Sequence, residues 1–221
     1  MNRRWIGPAA IALMVAFALA VYGRLPAQIP THFDLSGEPD DWTDRFPGAF
    51  VMPAMAAGVY LLLFALRRID PRRAHYDRFE GTYWVILNVI AITMAAFQVL
   101  TLGLALGWPI DTGRAITVTV GLLFVGLGNY LPRIRSNWWI GIRTPWTLEN
   151  ETVWRETHRV AGWTFVAAGL ALVAAGLFVP AGAREWTSGI ALAIGVAVPF
   201  VYSYLAFRRE VASGKNQAPA S

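Results

Sequence analysis

The stretch PGAFVMPAMAAGVYLLLFALRRIDPRR, Pro47–Arg73, has no charge in its first twenty residues and then four arginines within seven. About twenty apolar residues, each rising about 1.5 Å, cross roughly 30 Å of hydrocarbon, so Pro47 to Leu66 reads as a membrane-spanning helix. Its arginines mark the end at which it leaves the bilayer. Pro53 falls in the opening turns of this segment, where a missing amide hydrogen is tolerated.

The pattern recurs on both sides. Comparable runs lie at Trp5 to Tyr22, Tyr83 to Leu106, Ala115 to Leu131, Val160 to Val179 and Thr187 to Phe207. The expected fold class is therefore an all-α membrane protein with six transmembrane helices. Pro8 sits near the start of the first run, whereas Pro199 lies well inside the sixth and predicts a kink. Composition agrees, since 56% hydrophobic and 15% charged residues cannot cover a soluble globule of 221 residues. Cysteine is absent, which excludes disulfides, thiol nucleophiles and cysteine metal sites.

The net charge of +5 comes from arginines that flank apolar runs instead of forming a stripe, so no direct nucleic acid binding is expected. With a cytoplasmic N terminus, the inner segments hold Arg3, Arg4, Arg67, Arg68, Arg72, Arg73, Arg78, Arg133, Arg135, Arg143, Arg155, Arg159, Arg208, Arg209 and Lys215. Only Arg24, Arg45, Arg114 and Arg184 remain outside. That bias puts both N and C termini in the cytoplasm of a multi-pass membrane protein. Trp5, Trp84, Trp108, Trp163 and Trp186 fall near helix ends, as interfacial rings should. Asn2-Arg3-Arg4, the apolar run and Ala18-Leu19-Ala20 also fit a cleaved secretory signal, but the run continues to Tyr22 and is long enough to span, so an uncleaved helix is expected. The basic ends LRRIDPRR, PRIR and FRRE of the second, fourth and sixth helices follow from the topology and need no internal repeat.

Polar chemistry concentrates in two loops. The first, residues 24–46, is outer and acidic, with Asp34, Glu38, Asp40, Asp41 and Asp44. Ser36-Gly37-Glu38-Pro39-Asp40 is turn chemistry, with Gly37 suited to positive φ, so this loop should fold back over the bundle. His32, Asp34 and Asp40 could hold a metal, yet His-x-Asp is not a diagnostic spacing, and a solvated acidic cap explains them as well; metal: none is the expectation. Acids facing outward also suit a basic or amphipathic peptide.

The second loop, residues 132–159, is inner. Trp138, Trp139, Ile140 and Ile142 alternate with small or charged residues, as in a segment lying at headgroup level. Asn150 before Glu151 reads as a helix cap, and Trp154 and His158 then share a face at i and i+4. An internally hydrogen-bonded role is the expectation for His158. Arg143, beside Gly141, Thr144, Pro145 and Trp146, is a guanidinium placed to stack, clamp a carboxylate or bind a lipid phosphate.

The run GNYLPRIRSNWWIGIRTPWTLENETVWRETHRVAGW, Gly128–Trp163, resembles the signature of the SdpI-type membrane proteins, a bacterial toxin-immunity family. The resemblance is carried by Asn137, Gly141, Arg143, Thr144, Pro145, Trp146, Thr147, Leu148, Trp154 and Thr157-His158-Arg159. LPAQIPTHFDLSGEPDDW is similar to an uncharacterised N-terminal domain often joined to that signature, at Pro26, Ile29-Pro30, His32-Phe33, Gly37, Pro39-Asp40 and Trp42. The resemblance implies protection against an extracellular peptide toxin, relayed by holding a cytoplasmic transcriptional repressor at the membrane. It divides the chain into an N-terminal helix pair with its acidic loop, residues 1–80, and a four-helix region with the signature loop, residues 81–221.

Arg143, Trp146, Asn137, Trp154, His158, His32, Asp34 and Asp40 are thus the expected ligand or partner residues; no catalytic residue and no cofactor is singled out. Besides the lipid bilayer, the implied partners are the toxin and the repressor. Two competing classes remain: a small-solute transporter or metal-dependent membrane enzyme using His32, Asp34 and Asp40, and a structural subunit of a larger complex. Transport would call for ionisable residues inside the helices, whereas Asn88, Gln98 and Asn129 are uncharged and suit hydrogen bonds between helices. Gly121, Gly126, Gly128, Gly162, Gly169 and Gly176 allow close packing within the chain or between chains.

Overall fold

The chain is described by a computed structural model covering residues 3–34 and 36–214; Asn2 and Lys215, counted above, lie outside the described residues. Among the described residues, six helices are long and apolar enough to cross a membrane, as expected. They are α1 (Ile6–Val21), α2 (Arg45–Ile69), α3 (Glu80–Ala105), α4 (Thr112–Tyr130), α6 (Glu151–Phe178) and α7 (Ala181–Ala212), while α5 (Pro145–Glu149) is a short helix inside the signature loop. Asn150 caps α6 by accepting the amides of Thr152 and Val153, so the helix begins where the sequence placed its cap and runs straight into the fifth span.

Between α1 and α2 the acidic loop forms an antiparallel hairpin of β1 (Gln28–Phe33) and β2 (Pro39–Asp44). Strand pairing is not evident in the sequence, because the run alternates only weakly and contains Pro30 opposite Trp42. Two register shifts around His32 accommodate it. Ile29 anchors the hairpin, fully buried against Gly48 at the start of α2 with Leu25, Ala49 and Leu102. At its tip Gly37 has φ 93° and lies on Gly113, in the first turn of α4, so close that a Cβ on either residue would collide with the backbone of the other segment.

Helix α3 is the shared wall: α1, α2 and α4 pack on it, and α6 packs between α4 and α7. The α4–α6 seam is backbone against backbone. A Cβ on Gly121 would stand 2.7 Å from the Gly169 carbonyl and one on Gly169 2.6 Å from that of Gly121; Gly128 and Gly162 repeat the relation at 2.9 and 3.0 Å. These glycines therefore serve contact within the chain. Gly126 faces Val89 of α3 instead.

In hydrocarbon a freed backbone carbonyl needs a protein partner, and each proline within a spanning segment frees one. The carbonyl four residues before Pro8 belongs to Arg4 and accepts the Tyr60 hydroxyl at 3.1 Å. Pro53, which lies deeper in α2 than expected because the helix starts at Arg45, frees Ala49, whose carbonyl takes the Gln98 amide at 3.4 Å. Pro199 frees Gly195, whose carbonyl takes the Thr164 hydroxyl at 3.1 Å. Asn88 acts similarly by insertion: it accepts the Gly7 amide at 2.9 Å and donates to the Arg3 carbonyl at 2.8 Å, replacing one rung of helix at the start of α1.

Candidate functional site

The hairpin end and the signature end hold separate constellations. On the hairpin, the carboxylate of Asp34 accepts the Ser36 hydroxyl at 2.6 Å and the amides of Ser36, Gly37 and Glu38 at 2.9 Å each. That cap, led by the Ser36 hydroxyl, holds its carboxyl below the ordinary range. Asp34 is thus spent on the turn, which separates it from the His32–Asp40 pair. His32 Nδ1 meets Asp40 Oδ1 at 2.6 Å, and this hydrogen bond raises the imidazole above its ordinary value. No group of three or more metal-binding side chains forms among the described residues. Glu38, Asp41 and Asp44 project outward beside Trp42 and Phe46, which are 51% and 66% exposed.

At the opposite end the signature residues form a fixed platform. Asn137 is fully buried: its carbonyl oxygen accepts the amides of Trp139 and Ile140 at 2.9 and 2.7 Å, and its amide nitrogen donates to the carbonyls of Arg135 and Ile140 at 2.9 Å. Gly141, at φ 115°, then turns the chain directly over His158, where a Cβ would collide with Nε2. His158 accepts the Ile142 amide at 3.0 Å and hydrogen-bonds the Trp154 carbonyl through Nδ1 at 2.8 Å. Its ring stacks on Trp154 at 4.1 Å, and the Trp154 indole donates to the Ile134 carbonyl at 2.9 Å.

Thr144 caps α5 in a reciprocal box with Thr147, and Pro145 occupies the first helical position. Trp146 thereby reaches α7, where its indole donates to Ser203 at 2.6 Å and its ring meets Tyr204 and Phe207. Arg143 donates to the Trp138 carbonyl and otherwise faces outward. It is Arg72 whose guanidinium lies over the Trp138 ring, 6.0 Å from its centroid. Of the expected residues, Asn137, Trp154 and His158 come together in the platform core, Trp146 ties it to α7, and Arg143 stands at its rim.

The sequence reading missed the other half of this platform, the turn between α2 and α3. Asp70 is buried: one oxygen accepts the Arg72 amide at 2.7 Å, the other the Tyr76 hydroxyl at 2.9 Å and the Trp138 amide at 3.0 Å. Arg72 bonds Ser136 and, at 2.6 Å, the Leu148 carbonyl, while His75 Nδ1 meets the Ser136 carbonyl at 2.7 Å. The signal was an acid directly before Pro71, between the arginine pairs Arg67-Arg68 and Arg72-Arg73, which positive-inside reasoning alone does not explain.

Comparison with known proteins follows the same division. Residues 133–203 match the SdpI/YfhL protein family, and residues 9–57 match a domain of unknown function, DUF1648. The chain is 25% identical over 178 residues to the immunity protein SdpI of Bacillus subtilis (strain 168), covering 80% of this chain and 83% of that protein. No solved structure matches. These similarities and the six apolar helices support a multi-pass bacterial membrane protein whose signature platform is similar to the SdpI/YfhL family and whose hairpin lies in the stretch that matches DUF1648.

Proposed function

We propose that this protein gives its bacterial host immunity to a secreted peptide toxin, with the hairpin as receiver and the signature platform as output. Its similarity to an immunity protein over most of both chains carries the reading. The hairpin supports it: Glu38, Asp41 and Asp44 stand outward beside exposed Trp42 and Phe46, a surface complementary to a cationic amphipathic peptide. Orientation belongs to the proposal. Among the described residues, the signature end carries the arginines of the helix ends from Arg3 to Arg209 except Arg24, Arg45, Arg114 and Arg184, so it faces the cytoplasm, where a repressor could be held.

Survival of cells challenged with a panel of cationic antimicrobial peptides tests the reading. Glu38→Gln, Asp41→Asn and Asp44→Asn together should abolish protection at unchanged membrane abundance, because the three substitutions keep the backbone bonds of the hairpin and none of the three side chains hydrogen-bonds within the turn or to His32. Full protection by that variant, or none by the wild type against any peptide, would reject it. A reporter fused after Asp41 should behave as exported and one after Glu149 as cytoplasmic.

A further inference from the structure

We propose that Arg78, Arg135 and Arg155 form a binding site for the phosphate of an anionic phospholipid headgroup. The three come from different segments and converge on one cavity of about 60 Å³. All three are exposed, and none is hydrogen-bonded or ion-paired through its side chain among the described residues. Other arginines at this end are spent: Arg67 on Asp77 and Glu80, Arg72 on Ser136 and Leu148.

Position selects the ligand. Arg78 precedes α3 by two residues, Arg135 follows the turn that closes α4 by two, and Arg155 lies in the second turn of α6. Helix ends of a membrane-crossing bundle stand at headgroup depth, where basic pockets between helices take lipid phosphates. The cavity has the volume of about two waters, enough for one anionic group and too small for a folded partner. Its wall is rigid: Trp154 is held by Ile134 and stacked on His158, and Ser136 is fixed by Arg72 and His75. Glu151 lines the same cavity and leaves three cations against one anion, so the site favours a negative ligand. Guanidinium forks match phosphate oxygens in pairs.

Native mass spectrometry of the detergent-solubilised full chain, titrated with phosphatidylglycerol or phosphatidylcholine, tests the assignment. The wild type should retain one phosphatidylglycerol about tenfold more tightly than phosphatidylcholine. Arg78→Gln, Arg135→Gln and Arg155→Gln together should erase that preference, whereas Arg73→Gln, Arg208→Gln and Arg209→Gln, which remove three exposed arginines elsewhere, should keep it. A preference that survives the first triple variant, or that the control loses equally, overturns the site. So does a wild type with no preference, including one that binds inorganic phosphate or an acidic peptide instead. Should the glutamine variant fail to fold, Arg135→Glu alone leaves Arg78 and Arg155 against Glu151 and the new carboxylate, cancels the charge excess and should lose most of the preference; an unchanged preference there also overturns it.

Discussion

The backbone amide of Ile142 donates to Nε2 of His158 at 3.0 Å. Because Nδ1 faces the Trp154 carbonyl at 2.8 Å, that nitrogen carries the hydrogen and the ring is neutral, with both nitrogens satisfied. A buried histidine thus performs the same task as a strand neighbour, holding the one backbone turn at which Arg143 is displayed. Both of its hydrogen bonds and its stacking partner lie within the fold.

Removing the ring leaves the Ile142 amide buried without an acceptor, which costs about 1–3 kcal/mol. His158→Ala should therefore raise deuterium uptake in the peptide spanning residues 141–147 while α7 keeps its protection. Gly141→Ala should do the same, because its Cβ would collide with His158 and its φ of 115° is unfavourable for alanine. Unchanged uptake in both variants would show that the bond does not hold the loop.

Gly169 and Gly121 meet through their backbones, so a side chain at either position must push α4 and α6 apart. Gly169→Val should lower thermal stability in detergent by about 1–3 kcal/mol, the usual range for an overpacked interior. Gly189→Val, on α7 with nothing within 4 Å of its Cβ position, should leave the melting temperature nearly unchanged. Equal effects at the two sites would argue against the seam.

His32 should titrate above the ordinary histidine value of 6.5, because Asp40 stabilises its protonated form. A raised folded-state value means that the pair strengthens the hairpin fully below the unfolded value and loses that contribution as pH rises through the folded one. Nuclear magnetic resonance of the His32 ring protons should show the raised midpoint, and Asp40→Asn should bring it back toward 6.5. An identical midpoint in the two proteins would mean the pair does not form.

Arg143 makes one bond to the Trp138 carbonyl and turns the rest of its guanidinium outward. Lysine keeps the charge but not the fork, so Arg143→Lys should protect cells nearly as poorly as Arg143→Ala at matched membrane abundance. Full protection by the alanine variant would reduce this residue to a topological charge.

Spans, caps and turn signals were legible in the linear chain because each depends on neighbours in sequence. Twenty apolar residues satisfy their own backbone bonds wherever the rest of the bundle sits, Asn150 caps the helix that follows it, and Gly37 needs only its own φ. The signature residues were legible for a different reason, as a resemblance, and their roles were not. Asn137 could be named from its motif, but its five hydrogen bonds to the surrounding loop and Tyr76 could not.

What tertiary structure alone decided is which distant groups meet. Nothing near Pro53 in sequence announces that Gln98 will take the carbonyl it frees, nor near Pro199 that Thr164 will do so. Nothing in the sequence around Asp70 tells that Tyr76 and the Trp138 amide close on it. The glycines of α4 and α6 were compatible with contact inside the chain or between chains, and only their facing backbones chose between the two. Hydropathy determines how many times the chain crosses the membrane; the requirement that every polar group inside hydrocarbon find a partner determines how the crossings are assembled, and that partner is set by packing in three dimensions.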